Sequence, residues 1–533
     1  MIETVDGLFR ESVRHFPDRI FLRHLTAHGT TSITYAQAAV RVAGSVRRLA
    51  DAGLAPGSRA VACADAMVDS VFLFIACAHA GVVLAPLSPS SSIEMVRSLQ
   101  HHVDARAVFA SAPDVPRLSA AGLAPTALGP PLEFELDLPA ALKLLEQAGQ
   151  GHSADSVYML QPTSGTTAQP KLVIRSHRAF SRAARMLSGN LFAADAPAQR
   201  VLMVAALTHG MGQYLLSIGL TLAAEFCVPE KSDTAASLPQ VRQLDPTYIV
   251  LTPRVLRSFV DQQAALEGPT PSRPLFGPGA RLLNIGGAEC DPVLMRRVSA
   301  QGLEVKVAYG ASEISVVSIT EPGQWKEGSA GKILPDVELK IADDGELLAK
   351  TPVMMVGYHG AQALTEQAFT ADGFYQTGDF AEITEDGELR ILGRKRDVFN
   401  TFDGSNIFPG RIETMIETLP WVSQAVLVGD QRPFLTALLV IKDSTQAGDA
   451  RRLGQLDEQK FASLYSRAYS DLAPINASNE ANERVLRVVL FDRAMASELY
   501  AIVGHGKTKR DRAKIVQAYA GSISELYPTG KPA

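Results

Sequence analysis

Thr163, Ser164, Thr166 and Thr167 bracket Gly165, and Lys171 follows four positions after the last of them. The full run is Gln161-Pro162-Thr163-Ser164-Gly165-Thr166-Thr167-Ala168-Gln169-Pro170-Lys171, directly after a β-rich stretch at 157–160. Backbone N–H groups and side-chain hydroxyls in such a loop can donate to phosphate oxygens while a lysine supplies positive charge, which is what a nucleotide phosphate site requires. A flexible Ser/Thr loop has the same composition. Composition alone does not separate the two.

Two acids, a histidine and a basic run stand at other strand ends or turns. Val307-Ala308-Tyr309-Gly310-Ala311-Ser312-Glu313 is a strand pattern entering a small-residue turn that delivers a carboxylate, a hard oxygen ligand suited to Mg2+. Tyr375-Gln376-Thr377-Gly378-Asp379 ends on an acid able to accept hydrogen bonds from hydroxyls, although a turn-capping aspartate reads the same way. Leu207-Thr208-His209-Gly210-Met211-Gly212-Gln213-Tyr214 places a histidine among small and apolar residues, where a structural histidine is the commoner outcome. Gly504-His505-Gly506-Lys507-Thr508-Lys509-Arg510 contains Gly-Lys-Thr. A Walker A loop needs glycine at 501, where Ala501 stands, and the strand-to-helix context is missing.

Taken in order, these strings resemble the adenylate-forming (AMP-binding) superfamily of acyl- and aryl-CoA synthetases, luciferases and adenylation domains of peptide synthetases. The 163–171 segment resembles its Thr-Ser-Gly-Thr-Thr-Gly-x-Pro-Lys signature, with Ala168 replacing a glycine. The continuation Leu172-Val173-Ile174-Arg175-Ser176-His177 resembles the aryl-acid-activating branch. Gly393-Arg394-Lys395-Arg396-Asp397, with Gly404, Asn406, Ile407, Pro409, Ile412 and Glu413 after it, resembles the family hinge. Arg411 stands where an acid is common.

The resemblance implies roles residue by residue. Thr163, Ser164, Gly165, Thr166, Thr167 and Lys171 surround the ATP phosphates, and Glu313, with Thr163, holds Mg2+. Tyr309, with Gly310 and Ser312, lies near adenine beside Gly287 and Ala288, while Asp379 takes ribose hydroxyls and Arg394 contacts ribose or phosphate. His209, Gly210, Met211, Tyr214, Gly286, Ala311 and Ile314 line the acid pocket. Asp397 is the pivot of a mobile domain. Lys507 is the catalytic lysine, reaching carboxylate and α-phosphate, with Lys509 the competing candidate.

The implied reaction joins a carboxylic acid to ATP as acyl-AMP and then transfers the acyl group to coenzyme A. The alternative acceptor is a phosphopantetheinyl carrier protein. A non-catalytic adenylate-binding homologue is a third possibility, opposed by the joint presence of Lys171, Glu313, Asp379, Arg394 and Lys507. No carboxylate occurs between Thr208 and Tyr214, where amino-acid-activating relatives carry an aspartate, so an aromatic or medium hydrophobic acid is expected.

Elements with α/β rhythm must position these groups. Helical periodicity at 35–52 and 68–79 alternates with strand patterns at 59–64, 201–206, 248–251, 281–285 and 304–308, as in a parallel sheet whose strand ends gather ligands. After about Gly328 the pattern becomes short strands with turn signals at Asp343-Asp344-Gly345 and Glu385-Asp386-Gly387. The expected fold is α/β: a large multi-subdomain N-terminal domain, 1–396, with parallel α/β sheets and a β-rich subdomain, then a small mobile α+β domain, 397–533. The 112–151 segment carries no motif and is expected to wrap the surface.

The chain has 533 residues, 46% hydrophobic and 20% charged, which suits a globular protein of more than one core. A net charge of −5 offers no field for nucleic acid. Cys63, Cys77, Cys227 and Cys290 are scattered without metal-ligand spacing and read as reduced thiols. The apolar stretch at 68–86 is interrupted by Asp69, Ser70, His79 and Gly81 and reads as a buried helix and strand, not a membrane span. With no signal pattern at the start, a cytoplasmic setting is expected.

Overall fold

The computed structural model describes residues 2–64, 67–128, 136–163, 171–193, 197–268, 271, 273–289, 291–321, 323, 325–326, 328–442, 459, 461–491 and 512–527. Among these, the strands form a thirteen-stranded sheet, a seven-stranded sheet, a two-stranded ribbon and a three-stranded sheet.

The seven-stranded sheet explains the first α/β alternation. Val83–Leu87, Arg59–Cys63, Ala107–Ser111 and Pro125–Leu128 run parallel to their neighbours, and Val157–Thr163 joins at Val83–Leu87. Helix Tyr35–Asp51 starts at Thr34 with a capping box completed by Gln37, satisfying donors that the first turn leaves unpaired. Helix Met67–Ala80 is buried along nearly its whole length, which accounts for the apolar stretch. No helix among the described residues is long and apolar enough to cross a membrane.

The 112–151 segment departs from expectation. It does not simply wrap the surface: Pro125–Leu128 extends the sheet, and helix Leu138–Gly149 buries Ala141 and Leu145 in the main core. Beside that core, helix Val5–His15 places Asp6 against His152 and His177. Asp6 Oδ1 lies 3.1 Å from His152 Nε2, and the two imidazoles stack with centroids 4.4 Å apart.

The thirteen-stranded sheet is parallel through Arg200–Leu202, Tyr248–Leu251, Leu282–Gly286 and Glu304–Ala311, then antiparallel through the strands after residue 314. Thus Glu304–Ala311 is the switch strand, parallel to Leu282–Gly286 on one side and antiparallel to Ser315–Ile319 on the other. The turn signals fall where expected, between Glu338–Ile341 and Glu346–Lys350 and between Tyr375–Ile383 and Glu388–Arg394.

Beyond Asp397, Val422–Val428, Leu435–Ile441 and Val485–Phe491 form the small sheet, covered by helices Pro409–Ile416 and Ala462–Ser478. This is an α+β unit with its own core, including Ile412, Ile416, Leu439 and Leu472. Arg411 is ion-paired with Glu483 there. Cys63, Cys77 and Cys227 are buried free thiols, while Cys290 lies outside the described residues.

Candidate active site

The hydroxyl-rich loop hangs from a closed rung. Val157–Thr163 and Lys171–Ser176 pair antiparallel, with Thr163 directly opposite Lys171, and Thr163 Oγ1 donates to the Lys171 carbonyl at 3.3 Å. Ser164, Gly165, Thr166, Thr167 and Ala168, between these ends, lie outside the described residues. Lys171 is exposed, its Nζ 5.1 Å from the ring centroid of Tyr358.

Tyr309 and Glu313 come from the switch strand and the turn after it. A side chain at Gly310 would put its Cβ 2.1 Å from the Ser315 carbonyl oxygen, so glycine is what allows the hairpin to fold back this closely. Ser315 itself takes a left-handed φ of 65°. Backbone bonds hold the turn: Met355 N–H donates to Glu313 O at 2.7 Å, and Thr351 Oγ1 to Ile314 O at 3.3 Å. The Glu313 carboxylate is half-buried and accepts from Tyr358 Oη at 3.1 Å.

Asp379 is 2% exposed and receives a donor on each carboxylate oxygen. Tyr309 Oη donates to Oδ2 at 2.5 Å, and Arg394 Nε meets Oδ1 at 2.9 Å. Burial and the Asp379 charge push the Tyr309 phenol well above its usual pKa, so the tyrosine is the donor of this pair. Arg394 stands directly opposite Asp379 on the antiparallel Glu388–Arg394 strand. Behind them, Thr377 Oγ1 receives the Asp379 N–H at 3.1 Å and donates to Leu347 O at 2.7 Å.

The two groups are continuous. Tyr375, on the strand of Asp379, places its hydroxyl 3.5 Å from that of Tyr358. Lys171, Glu313 and Asp379 are thus linked through Tyr358, Tyr375 and the strand that carries both Tyr375 and Asp379.

Residues expected to line the acid pocket approach one another at the start of helix Gly210–Thr221. A Cβ built at Gly210 lies 3.9 Å from Ser312 Oγ, and one at Gly287 lies 3.8 Å from Met211 Cε. Gly212 has a different reason for being small: a Cβ there would sit 2.4 Å from the Ala206 carbonyl oxygen. Tyr214 and Ala311 are half-buried, Gly286 is buried, and Ala288 is exposed beside Gly287. Ile314 is the exception. It is fully buried with Val173, Met355 and Tyr358, because the apolar residue after Glu313 turns into the core beneath the turn.

His209 occupies the N-cap position of that helix without a side-chain capping bond. Its surface is open to solvent while protein surrounds its other sides. That enclosure lowers its pKa from the usual value, and the charge of Asp233 opposes the change. Contact with water keeps the effect modest.

Asp397 lies in the turn after Arg394, its N–H donating to Arg394 O at 2.9 Å. Lys395, beside it, is tied to Asp344 at 2.6 Å and Glu346 at 2.8 Å. Lys507 and Lys509 lie outside the described residues.

Two further residues in contact with these groups have no role of their own in the motif reading. Tyr358 belongs to a strand of two residues, too short for any periodic signal. Arg175 is 2% exposed; it donates to the Ser312 carbonyl at 2.9 Å and to the Tyr214 hydroxyl, and has no carboxylate partner among the described residues. A charged residue directly after the apolar run Leu172-Val173-Ile174, within a buried strand, is the available signal for it.

The chain is similar to known proteins along most of its length. The family model described as AMP-binding enzyme matches residues 9–359, and that of the AMP-binding enzyme C-terminal domain matches residues 396–531. The chain is 28% identical over 514 residues to a long-chain-fatty-acid–CoA ligase, FadD15, of Mycobacterium bovis, covering 84% of each chain. It is 27% identical to a salicylyl-CoA synthase / salicylate adenylyltransferase of a Streptomyces species, covering 78% of this chain and 81% of that one. Its fold matches O-succinylbenzoate coenzyme A synthetase from Bacillus subtilis in complex with ATP and magnesium ion, with a TM-score of 0.72 at 19% identity over 91% of this chain and 96% of that one.

Proposed function

The chain belongs to the AMP-binding enzyme family, and on that premise we propose that it is an ATP-dependent carboxylic acid–CoA ligase working through an acyl-AMP. The observation that carries the reading is the set of contacts linking Lys171 and Glu313 through Tyr358, and Asp379 and Arg394 with Tyr309, with Tyr375 reaching Tyr358 from the strand of Asp379. Phosphate, metal, ribose and base each have a chemically matched group there.

In the first half-reaction a carboxylate oxygen attacks the α-phosphorus of ATP, and the bond to pyrophosphate breaks. Lys171 offsets phosphate charge at the mouth of its loop. Asp379 accepts from the ribose hydroxyls; each carboxylate oxygen has a second lone pair, so the bonds from Tyr309 and Arg394 leave acceptor capacity. The half-buried Glu313 carboxylate and the Thr163 hydroxyl are hard oxygen donors that fit Mg2+, which when bound would neutralise triphosphate charge. Lys507 supplies an ammonium as negative charge shifts towards the α-phosphate.

In the second half-reaction the sulfur of coenzyme A attacks the acyl carbonyl carbon, AMP leaves, and the thiol proton passes to solvent. A rotation of the domain beyond Arg396 about Asp397 exchanges the Lys507 segment for the thiol path. Gly210, Met211, Tyr214 and Ala311, with His209 at the mouth, support an aromatic or medium hydrophobic acid. The buried free thiols support a cytoplasmic setting.

The test is AMP formation from ATP and Mg2+ across aryl, medium-chain and longer acids, with and without coenzyme A. Acid-specific AMP release that requires coenzyme A, with an acyl-CoA product, is expected. Acid-dependent pyrophosphate exchange without an acyl-CoA product would reassign the acceptor to a carrier protein. No exchange with any acid would overturn the catalytic reading.

A further inference from the structure

Tyr358 stands between two groups of opposite charge. Its hydroxyl donates to Glu313 Oε1 at 3.1 Å, and its ring lies under Lys171, with Nζ 5.1 Å from the centroid. Lys171 and Glu313 touch the same side chain, yet no ion pair joins them among the described residues. Two such groups in one cleft attract each other, and a direct pair would leave neither charge available for a ligand.

The backbone gives Tyr358 little freedom to move aside. Gly357 and Tyr358 pair with Ile174 and Val173 on the strand that starts at Lys171, so the registers of Lys171 and Tyr358 are fixed together. The Tyr358 N–H donates to Thr365 Oγ1 at 2.9 Å, which secures the short strand to the helix Gln362–Ala368. The side chain is 6% exposed and packs with Val173, Ile314 and Tyr375. The phenol is the donor of this bond and the carboxylate, which has only acceptors when ionised, receives it.

We propose that Tyr358 is a positioning residue for the nucleotide site: it holds the Glu313 carboxylate by one oxygen and separates it from Lys171, so that acid and ammonium engage the metal and the phosphates instead of each other. The proposal rests on the assignment of Glu313 to Mg2+ and Lys171 to phosphate. Partners that orient a metal-binding carboxylate are expected to matter nearly as much as the ligand itself.

The experiment measures equilibrium binding of Mg·ATP by calorimetry, and KM and kcat in pyrophosphate exchange, for the parent, Tyr358→Phe, Glu313→Gln and the double variant. Tyr358→Phe keeps the ring over Lys171 and removes only the hydroxyl. It is expected to weaken Mg·ATP binding by about tenfold or more, in line with outer-shell effects on metal affinity. Binding of ATP in EDTA and the KM for the acid should not change, and in the Glu313→Gln background the substitution should add nothing further.

Loss of Mg·ATP binding in Glu313→Gln but not in Tyr358→Phe would overturn the proposal while leaving the Glu313 assignment standing. Equal losses with and without Mg2+, or losses that add in the double variant, would also overturn it. Unchanged Mg·ATP binding in Glu313→Gln would overturn the Glu313 assignment and the proposal together.

Discussion

Tyr309 donates its phenolic proton to Asp379 Oδ2 at 2.5 Å, across 70 positions of sequence. The contact joins the switch strand of the parallel sheet to the antiparallel half, and Arg394 completes it from the far side of Asp379. Asp379 is thus oriented by the protein alone, ready for the ribose role proposed for it. Such preorganisation lowers the ordering cost of binding.

Asp379→Ala is expected to raise the KM for ATP in pyrophosphate exchange by about 10- to 100-fold, the value of one hydrogen bond to a charged group. Tyr309→Phe removes an orienting bond but leaves the carboxylate, so its effect should be smaller. A larger loss in Tyr309→Phe than in Asp379→Ala would reverse that assignment of roles.

Arg175 connects the Ser312 carbonyl to the Tyr214 hydroxyl from a fully buried position, with the Phe180 ring 5.1 Å from its guanidinium carbon. Arg175→Met leaves two part-buried acceptors without this donor, at a cost below the ~1–3 kcal/mol of a fully buried unpaired group. A lower Tm is expected, together with a rise in KM for the acid that exceeds the rise for ATP. Arg175→Lys should not restore the parent values, because one ammonium does not reproduce a planar fork. Equal changes in both KM values would remove Arg175 from the acid pocket.

The cluster beneath helix Val5–His15 makes stability depend on pH. Burial lowers the pKa of His79 to about 4 and that of His177 to about 3, against an unfolded value of 6.5. Between pH 6.5 and 4 the unfolded chain binds protons that the folded chain refuses, so stability falls on acidification through that window. Asp6 adds a further loss in stronger acid: burial would raise its pKa, but the His152 hydrogen bond and the His79 charge hold it below the usual carboxylate value. Tm measured against pH should show the decline, and His79→Met should make it shallower between pH 6.5 and 4. An identical slope in the variant would mean that other groups govern the acid limb.

Lys507→Ala is expected to cripple acyl-AMP formation while leaving thiolation of supplied acyl-AMP largely intact. The two half-reactions can be followed separately by pyrophosphate exchange and by acyl-CoA formation from synthetic adenylate. Equal loss in both would transfer the role elsewhere, with Lys509→Ala the next variant to measure.

The candidate nucleotide site is legible in the sequence to the extent that its residues sit in ordered motifs. Asp379 and Arg394 can be read from strings that end on charged groups, and the structure brings them into contact. Periodicity locates helix Tyr35–Asp51 because one face is apolar over 17 residues. It fails at 112–151, where proline, alanine and leucine suggest a wrapping segment but Pro125–Leu128 finds a sheet edge. Tyr358 is invisible for a different reason: its partner Glu313 is 45 residues away, and a two-residue strand carries no alternation. Ile314 illustrates the reverse error, since an apolar residue beside a site can serve the core below it.

The pairing of Asp379 with Arg394 also governs how this part of the chain tolerates changes in length. The two residues form one rung of a hairpin, so their separation in sequence is spent entirely on the strands and the turn between them. Extra residues at Glu385-Asp386-Gly387 would lengthen a solvent-facing tip and leave the rung untouched. A single deletion between Asp379 and Ile383 would instead rotate every side chain before it to the opposite face and aim Asp379 away from Arg394. Natural or engineered length variation should therefore collect at the tip of this hairpin and be absent from its arms.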